Sequence, residues 1–111
     1  MEWDTVFTLS DGCRLRGRRW EPAGRPRARI FGLHGVLEHS GRYSRFASDL
    51  TRVGYSLEMI DIRGHGRSDG PRAFIESWET VLHDLDEVHK QLEREGRTPD
   101  FLFGHSMGAA L

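Results

Sequence analysis

Ser106 stands in a short pattern whose residue types and spacing suit nucleophilic chemistry. The pattern G-x-S-x-G covers residues 104–108, after the apolar residues 101–103 and before small residues that suit a helix packed close to a sheet. A strand, a sharp turn and a helix start would hold the serine hydroxyl above the sheet, while Gly104 and Gly108 remove side chains that would collide. The helix start would also direct free backbone N–H groups at the hydroxyl. We therefore predict that Ser106 is a nucleophile.

The loop after the third predicted strand supplies a second part of the site. Residues 34–43 read His-Gly-Val-Leu-Glu-His-Ser-Gly-Arg-Tyr and leave the carboxyl end of a strand, where open α/β sheets place their ligands. Acyl transfer at Ser106 would create a negative oxygen that fixed N–H donors must stabilise. The backbone amides of Val36 and Met107 are the candidates for these donors. The alternative is an ordinary connection between a strand and a helix, just as an isolated G-x-S-x-G pattern can arise by chance.

The third segment is the glycine-rich connection at residues 61–70. Gly64 and Gly66 lie within it, and no regular element can pass through so many glycines. The segment is not G-x-G-x-x-G, and no Lys-Ser or Lys-Thr follows it, so we do not expect it to cradle a phosphate. We expect a structured loop, beginning at Asp61, that supports the loop after the third strand and the turn around Ser106.

The histidines do not suggest a metal site. His34, Glu38 and His39 have the spacing H-x-x-x-E-H, which is neither H-E-x-x-H nor H-x-x-E-H. His105 precedes Ser106 on a strand with alternating side chains, so we expect its ring to point away from the serine. We predict no metal and no other cofactor.

The elements that must position these segments follow from hydrophobic periodicity. Residues 3–9 and 13–20 alternate around a turn cluster and predict a β-hairpin. The predicted strands that follow are 29–33, 55–60 and 101–103, and the predicted helices are 43–53 and 78–92. A hairpin followed by β-α-β-α-β predicts an α/β fold with a largely parallel sheet.

Composition limits the number of domains, the kinds of partner and the cellular location that we expect. The chain has 111 residues, 37% of them hydrophobic and 30% charged, with a formal net charge of −1. These values predict one small domain and no nucleic-acid partner. A single cysteine, no secretory signal and no long apolar stretch favour a cytoplasmic location. The arginines among residues 14–29 are expected to face solvent, with peripheral contact to an anionic membrane as the lesser alternative.

Together the three segments closely resemble the monoglyceride lipase and lysophospholipase group of the α/β-hydrolase fold. The resemblance implies a serine hydrolase that acts on lipid-like carboxylic esters, with Ser106 as nucleophile and the Val36 and Met107 amides as oxyanion hole. It also implies supporting motif positions, which are His34, Gly35, Asp61, Gly64, Gly66, Gly104, His105 and Gly108. The sequence departs from the family pattern at Leu37, where a second glycine is usual. If that position needs a positive φ, leucine strains the loop.

The triad of this fold runs in the order serine, acid, histidine, whereas residues 107–111 contain neither acid nor base. The resemblance covers roughly the first two-fifths of such a protein. We therefore expect residues 1–111 to be the N-terminal portion of a single α/β-hydrolase domain, incomplete and inactive alone, with strand 101–103 as a bare sheet edge. The alternative is a non-catalytic module that binds a partner through this edge. The missing C-terminal part of the same fold, supplied in trans, is one such partner.

Overall fold

One mixed sheet carries the whole fold. The computed structural model describes residues 1–35, 37–106 and 108. The strands are β1 (Glu2–Thr8), β2 (Arg14–Trp20), β3 (Arg29–Leu33), β4 (Ser56–Ile60) and β5 (Phe101–Gly104). A 3-10 helix (Ser40–Tyr43) runs into α1 (Ser44–Arg52), and α2 (Trp78–Arg94) connects β4 to β5. The predicted α/β order is confirmed.

The sheet joins a hairpin to a parallel layer. The spatial order is β1-β2-β4-β3-β5, in which β1 and β2 form the predicted antiparallel hairpin. β2 also pairs with β4 antiparallel, whereas β3 lies parallel between β4 and β5. The carboxyl ends of β3, β4 and β5 therefore meet at one edge of the sheet. The three segments singled out by the sequence all leave the sheet at that edge.

Alternation along the inner strands builds a core on each face. On one face α1 packs with a cluster whose buried members are Trp20, Ala47, Leu57 and Met59. On the other face α2 packs with a larger cluster that includes Phe7, Leu15, Phe31, Leu33, Ile60, Val81, Val88 and Leu92. Each fully buried aliphatic or aromatic side chain contributes about 1.5–3 kcal/mol. The two clusters pack against both faces of the inner strands and so fix the positions of their carboxyl ends.

Helical spacing of the apolar residues from Trp78 to Leu92 predicts one buried stripe along α2, and the observed face differs from it. Trp78 and Leu82 are half exposed, whereas Asp84 is buried. Asp84 is buried because it pairs with Arg63, and Leu82 is half exposed because it lines an open groove. Ser77 caps the helix start by accepting a hydrogen bond from the Thr80 amide.

Strand β5 lies at the edge of the sheet, as expected. It pairs with β3 on one side, and among the described residues no strand pairs with its other side. Phe101 is 61% exposed and Leu102 is 76% exposed, so the edge is apolar as well as unpaired. In the described part of the chain no helix combines the length and apolarity needed to cross a bilayer.

Candidate active site

Ser106 lies on a sharp turn between β5 and a helical residue, Gly108. Its φ is +57°, in the left-handed region that side chains other than glycine rarely adopt, and the residue is exposed. The His105 amide donates to the Leu33 carbonyl and the Gly108 amide donates to the His105 carbonyl. The first bond ties the turn to the end of β3, and the second closes the turn itself.

The last glycine of the pattern permits this close approach. Gly108 is buried, and a Cβ at this position would clash with the carbonyl oxygens of Leu33 and His34. Gly104, the first glycine of the pattern, is the last residue of β5. The missing side chain of Gly108 therefore allows the turn to pack directly against the end of β3.

Gly35 brings the loop after β3 against the serine. A Cβ on Gly35 would lie 3.2 Å from the Ser106 Cβ and 3.0 Å from Glu38 Oε1. The predicted oxyanion loop and the predicted nucleophile are thus in contact. Val36 and Met107, the predicted oxyanion donors, lie outside the described residues, so their amides remain predictions.

Leu37 has a positive φ, the conformation in which a leucine is expected from the sequence to strain the loop. Its φ is +60° and its side chain is 73% exposed. The Glu38 amide donates to the Gly35 carbonyl across 3.2 Å, so Leu37 is the third residue of a four-residue turn, where glycine is usual when φ is positive. The loop is therefore strained at this residue.

Glu38 is a member of the site that sequence reasoning did not assign. One oxygen, Oε1, accepts hydrogen bonds from the Gly35 amide at 2.7 Å and the Tyr43 hydroxyl at 2.9 Å, and lies 3.3 Å from His105 Nδ1. The Gly35 amide and then the Tyr43 hydroxyl lower the pKa of Glu38 to about 2. The sequence signal was a carboxylate three residues after a loop amide, the spacing used in a capping box.

His34 is a structural bridge. It is fully buried, its Nδ1 lies 2.7 Å from the Gly35 carbonyl oxygen, and its Nε2 accepts the Ile62 amide at 2.9 Å. These partners assign the proton to Nδ1. Burial lowers the pKa of His34, so the ring stays neutral and joins the loop after β3 to the loop after β4.

The other histidines make their contacts away from the serine hydroxyl. His65 is buried beside His34, with ring centroids 5.3 Å apart, and His39 Nδ1 accepts the Gly41 amide at the start of the 3-10 helix. His83 and His89 face Glu87 and Glu93 along α2. Within the described residues no histidine nitrogen lies within hydrogen-bond distance of the Ser106 hydroxyl.

Asp61 connects the second and third segments. Its Oδ1 accepts the Ser40 amide at 2.7 Å and its Oδ2 accepts the Arg67 amide at 3.1 Å, in a buried position. A Cβ on Gly66 would lie 2.5 Å from the Asp61 Cγ, and Gly64 has a φ of +81°. The glycine-rich loop therefore closes around this carboxylate and contacts the loop after β3 through it.

Arg63 anchors the same loop to α2. Its guanidinium donates to both carboxylate oxygens of Asp84, at 2.9 Å and 2.8 Å, and to Asp11 at 2.9 Å. The Asp84 carboxylate raises the pKa of Arg63. This pair joins the hairpin turn, the glycine-rich loop and α2. In the part of the chain that is described, no three acidic, histidine or cysteine side chains are grouped to hold a metal ion.

An apolar groove of about 480 Å³ runs beside the free edge of β5 on the α2 face. Its lining includes Leu33, Leu82, Leu85, Val88, Leu102 and Gly108. The groove begins next to the turn that carries Ser106. Leu82 and Leu102 are exposed because they line this open groove.

Comparison with known proteins places this geometry among related chains. The family model described as serine aminopeptidase, S33, matches residues 24–111. The monoglyceride lipases of Rattus norvegicus and Homo sapiens are 38% and 39% identical over 103 residues, covering 92% of this chain and 34% of each relative. A solved structure described as "Lipase (Open form)" superposes with a TM-score of 0.80 at 30% identity, covering 97% of this chain and 37% of that one. The chain thus spans about a third of the length of these relatives.

Proposed function

Because the chain belongs to the serine aminopeptidase S33 family of α/β-hydrolases, we propose that Ser106 is the nucleophile of a serine hydrolase. We further propose that its substrates are carboxylic esters of the monoacylglycerol or lysophospholipid class. Membership of the family confirms the resemblance drawn from the three segments, and relatives named monoglyceride lipase support a hydrolase of the lipase or esterase type. The substrate class is carried over from those names.

The observation that carries the proposal is the left-handed φ of Ser106, +57°, on a strand-to-helix turn in contact with Gly35. A left-handed backbone at a residue other than glycine costs about 1–3 kcal/mol and persists where the surroundings hold it. Here the hydrogen bond to the Leu33 carbonyl holds the backbone of the turn in place, and the lack of a side chain at Gly108 lets the turn pack closely against β3. The result is an exposed hydroxyl at the carboxyl edge of the sheet, where this fold binds its substrates.

The proposed reaction is acyl transfer in two steps. The Ser106 oxygen attacks the ester carbonyl carbon, a C–O bond forms, and the carbonyl electron pair moves onto the oxygen that the Val36 and Met107 amides would stabilise. Collapse of this intermediate breaks the bond to the alcohol, which leaves with a proton supplied by the general base that first accepted the serine proton. Water then attacks the acyl-serine in the same way and releases the fatty acid.

The proposal also includes low activity of the 111 residues alone. The rings of His34 and His39 are engaged in structural hydrogen bonds, and within the described chain no histidine reaches the Ser106 hydroxyl. The serine proton therefore needs an acceptor from polypeptide other than these residues. We expect the isolated chain to have no efficient esterase activity.

A chimera tests the function directly. The 111 residues would replace the matching third of the rat monoglyceride lipase, and hydrolysis of monoacylglycerol, lysophospholipid and triacylglycerol would be compared. We expect turnover of the first two classes that Ser106→Ala reduces by about 10⁴-fold or more, since the nucleophile is lost. Ser48→Ala, on the exposed side of α1, is the matched control. Equal turnover in the Ser106→Ala and Ser48→Ala chimeras would refute the proposal.

A second candidate function uses the free edge of β5. The exposed Phe101 and Leu102 and the adjoining groove favour a non-catalytic module that pairs with a strand and a helix of a partner. Light scattering coupled to size exclusion separates the two ideas. A module gives a complex of defined mass with its partner, whereas an incomplete hydrolase domain gives ill-defined aggregates.

A further inference from the structure

We propose that Glu38 is a positioning residue of the Ser106 site: its carboxylate holds the loop after β3 in the conformation that strains Leu37, and joins that loop to the serine turn through His105. The inference rests on the proposed function for its meaning in catalysis. Its contacts are independent of that function, because they link backbone and side-chain groups of this chain alone.

Two reciprocal hydrogen bonds close the loop across residues 35–38. The Glu38 amide donates to the Gly35 carbonyl at 3.2 Å, and the Gly35 amide donates back to Glu38 Oε1 at 2.7 Å. Leu37 lies between these bonds with a φ of +60°. A leucine at this position favours other backbone conformations, so the turn depends on bonds that oppose its opening. The bond to the carboxylate is the stronger of the two, because its acceptor is charged.

The same oxygen reaches the turn that carries the serine. Glu38 Oε1 lies 3.3 Å from His105 Nδ1, and His105 immediately precedes Ser106. The missing Cβ of Gly35 would lie 3.0 Å from this oxygen and 3.2 Å from the Ser106 Cβ. The carboxylate oxygen and the serine therefore both pack against the side of Gly35 that a Cβ would occupy. A movement of Glu38 displaces Gly35, and with it the surface against which the serine packs.

A core residue holds the carboxylate in turn. The Tyr43 hydroxyl donates to Glu38 Oε1 at 2.9 Å, and the Tyr43 ring packs edge-on against Phe103 of β5 with centroids 5.8 Å apart. The Arg42 guanidinium approaches the other carboxylate oxygen only to 3.9 Å. Three donors from the loop, the 3-10 helix and the serine turn thus converge on one oxygen, so Glu38 connects three elements.

The test uses the ¹⁵N-labelled chimera with rat monoglyceride lipase and two NMR measurements, the hydrogen-exchange rate of the Gly35 amide and the ring ¹⁵N shifts of His105. We expect Glu38→Ala to speed Gly35 exchange by about 10- to 100-fold, as loss of a charged acceptor predicts, and to shift the His105 resonances. Glu38→Gln keeps an acceptor and restores most of the protection. Glu93→Ala, on the exposed face of α2, is the control and leaves both signals unchanged.

A second pair of variants tests the link to Leu37. In a Leu37→Gly background the turn is relaxed, so we expect Glu38→Ala to accelerate exchange about tenfold less than in the wild-type background. This pair also covers the case in which Glu38→Ala alone does not fold. Unchanged Gly35 exchange in folded Glu38→Ala, or an equal effect in both backgrounds, would overturn the inference. Ser106→Ala leaves Gly35 exchange intact, so failure of the proposed nucleophile and failure of this inference are distinguishable.

Discussion

Gly35 and Ser106 are packed so closely that a Cβ on the glycine would lie 3.2 Å from the Cβ of the serine. This contact joins the carboxyl ends of β3 and β5 at the point where the proposed chemistry occurs. The distance is tighter than an ordinary van der Waals contact, so a side chain at Gly35 has to displace a neighbour.

We expect Gly35→Ala to lower the monoacylglycerol hydrolysis of the chimera by about 10- to 100-fold, because small displacements of reacting groups are costly. The new methyl group would press on Ser106 and on the Glu38 carboxylate. Initial rates at saturating substrate provide the measurement. Gly24→Ala, where a Cβ meets no atom within 4 Å but φ is +76°, controls for general destabilisation. Equal losses in both variants would contradict the packing argument.

Leu37→Gly should stabilise the chain by about 0.5–1 kcal/mol. Relief of the left-handed strain outweighs the added chain entropy of glycine, and the 73% exposed side chain buries little apolar area. Urea unfolding of the chimera with rat monoglyceride lipase, monitored by tryptophan fluorescence, gives the free energy of unfolding. Leu37→Val should be destabilising, because a branched Cβ fits this φ less well. A lower stability for the glycine variant would show that Leu37 contributes contacts the strain argument ignores.

Breaking the Arg63–Asp84 pair should cost about 3–5 kcal/mol of folding free energy, because Arg63→Met leaves a buried carboxylate unpaired. Replacing both partners with apolar residues, Arg63→Met with Asp84→Leu, should cost less than Arg63→Met alone. Asp86→Asn, which removes the exposed pair with Lys90, should cost about 0.5 kcal/mol or less. Thermal unfolding of the four proteins, each as the chimera with rat monoglyceride lipase, measures these differences. A double variant less stable than Arg63→Met would contradict the desolvation argument.

Stability should fall in two stages as the solution is acidified. Burial lowers the pKa of His34 from 6.5, so protons favour the unfolded chain and stability declines as the pH falls below 6.5. The pKa of Glu38 falls from 4.5 to about 2 on folding, so its contribution is complete above pH 4.5 and is lost as the pH falls toward 2. Urea midpoints of the chimera with rat monoglyceride lipase between pH 7 and pH 3 measure both stages. Glu38→Gln should reduce only the lower stage, to which the lowered pKa values of Asp4, Asp11 and Asp69 also contribute, and loss of both stages in that variant would contradict the assignment.

Much of the fold was predictable because its signals are local. The bounds of β3 match the predicted 29–33, and the hairpin and both helices follow from periodicity and turn residues, whereas the edge position of β5 was expected from the resemblance. The burial of Asp84 was not predictable, because its partner Arg63 lies 21 residues earlier and on another element. Periodicity alone assigns a charged side chain to solvent.

The sequence motifs predicted which segments form the candidate site, but not the hydrogen bonds that join them. The strained turn at Ser106 follows from glycines on either side of it. The role of Glu38 depends on donors from Gly35, Tyr43 and His105, which only the assembled sheet edge brings together. From the sequence, strain at Leu37 was expected only if its φ is positive, and the observed φ is +60°.

Covalent labelling of the serine tests the central claim most directly. The chimera with rat monoglyceride lipase would be exposed to a fluorophosphonate, and intact mass followed by peptide mapping would locate the adduct. We expect one adduct per chain, confined to Ser106, present in Ser48→Ala and lost in Ser106→Ala. An adduct on another residue, or undiminished labelling of Ser106→Ala, would contradict the assignment of Ser106 as the nucleophile.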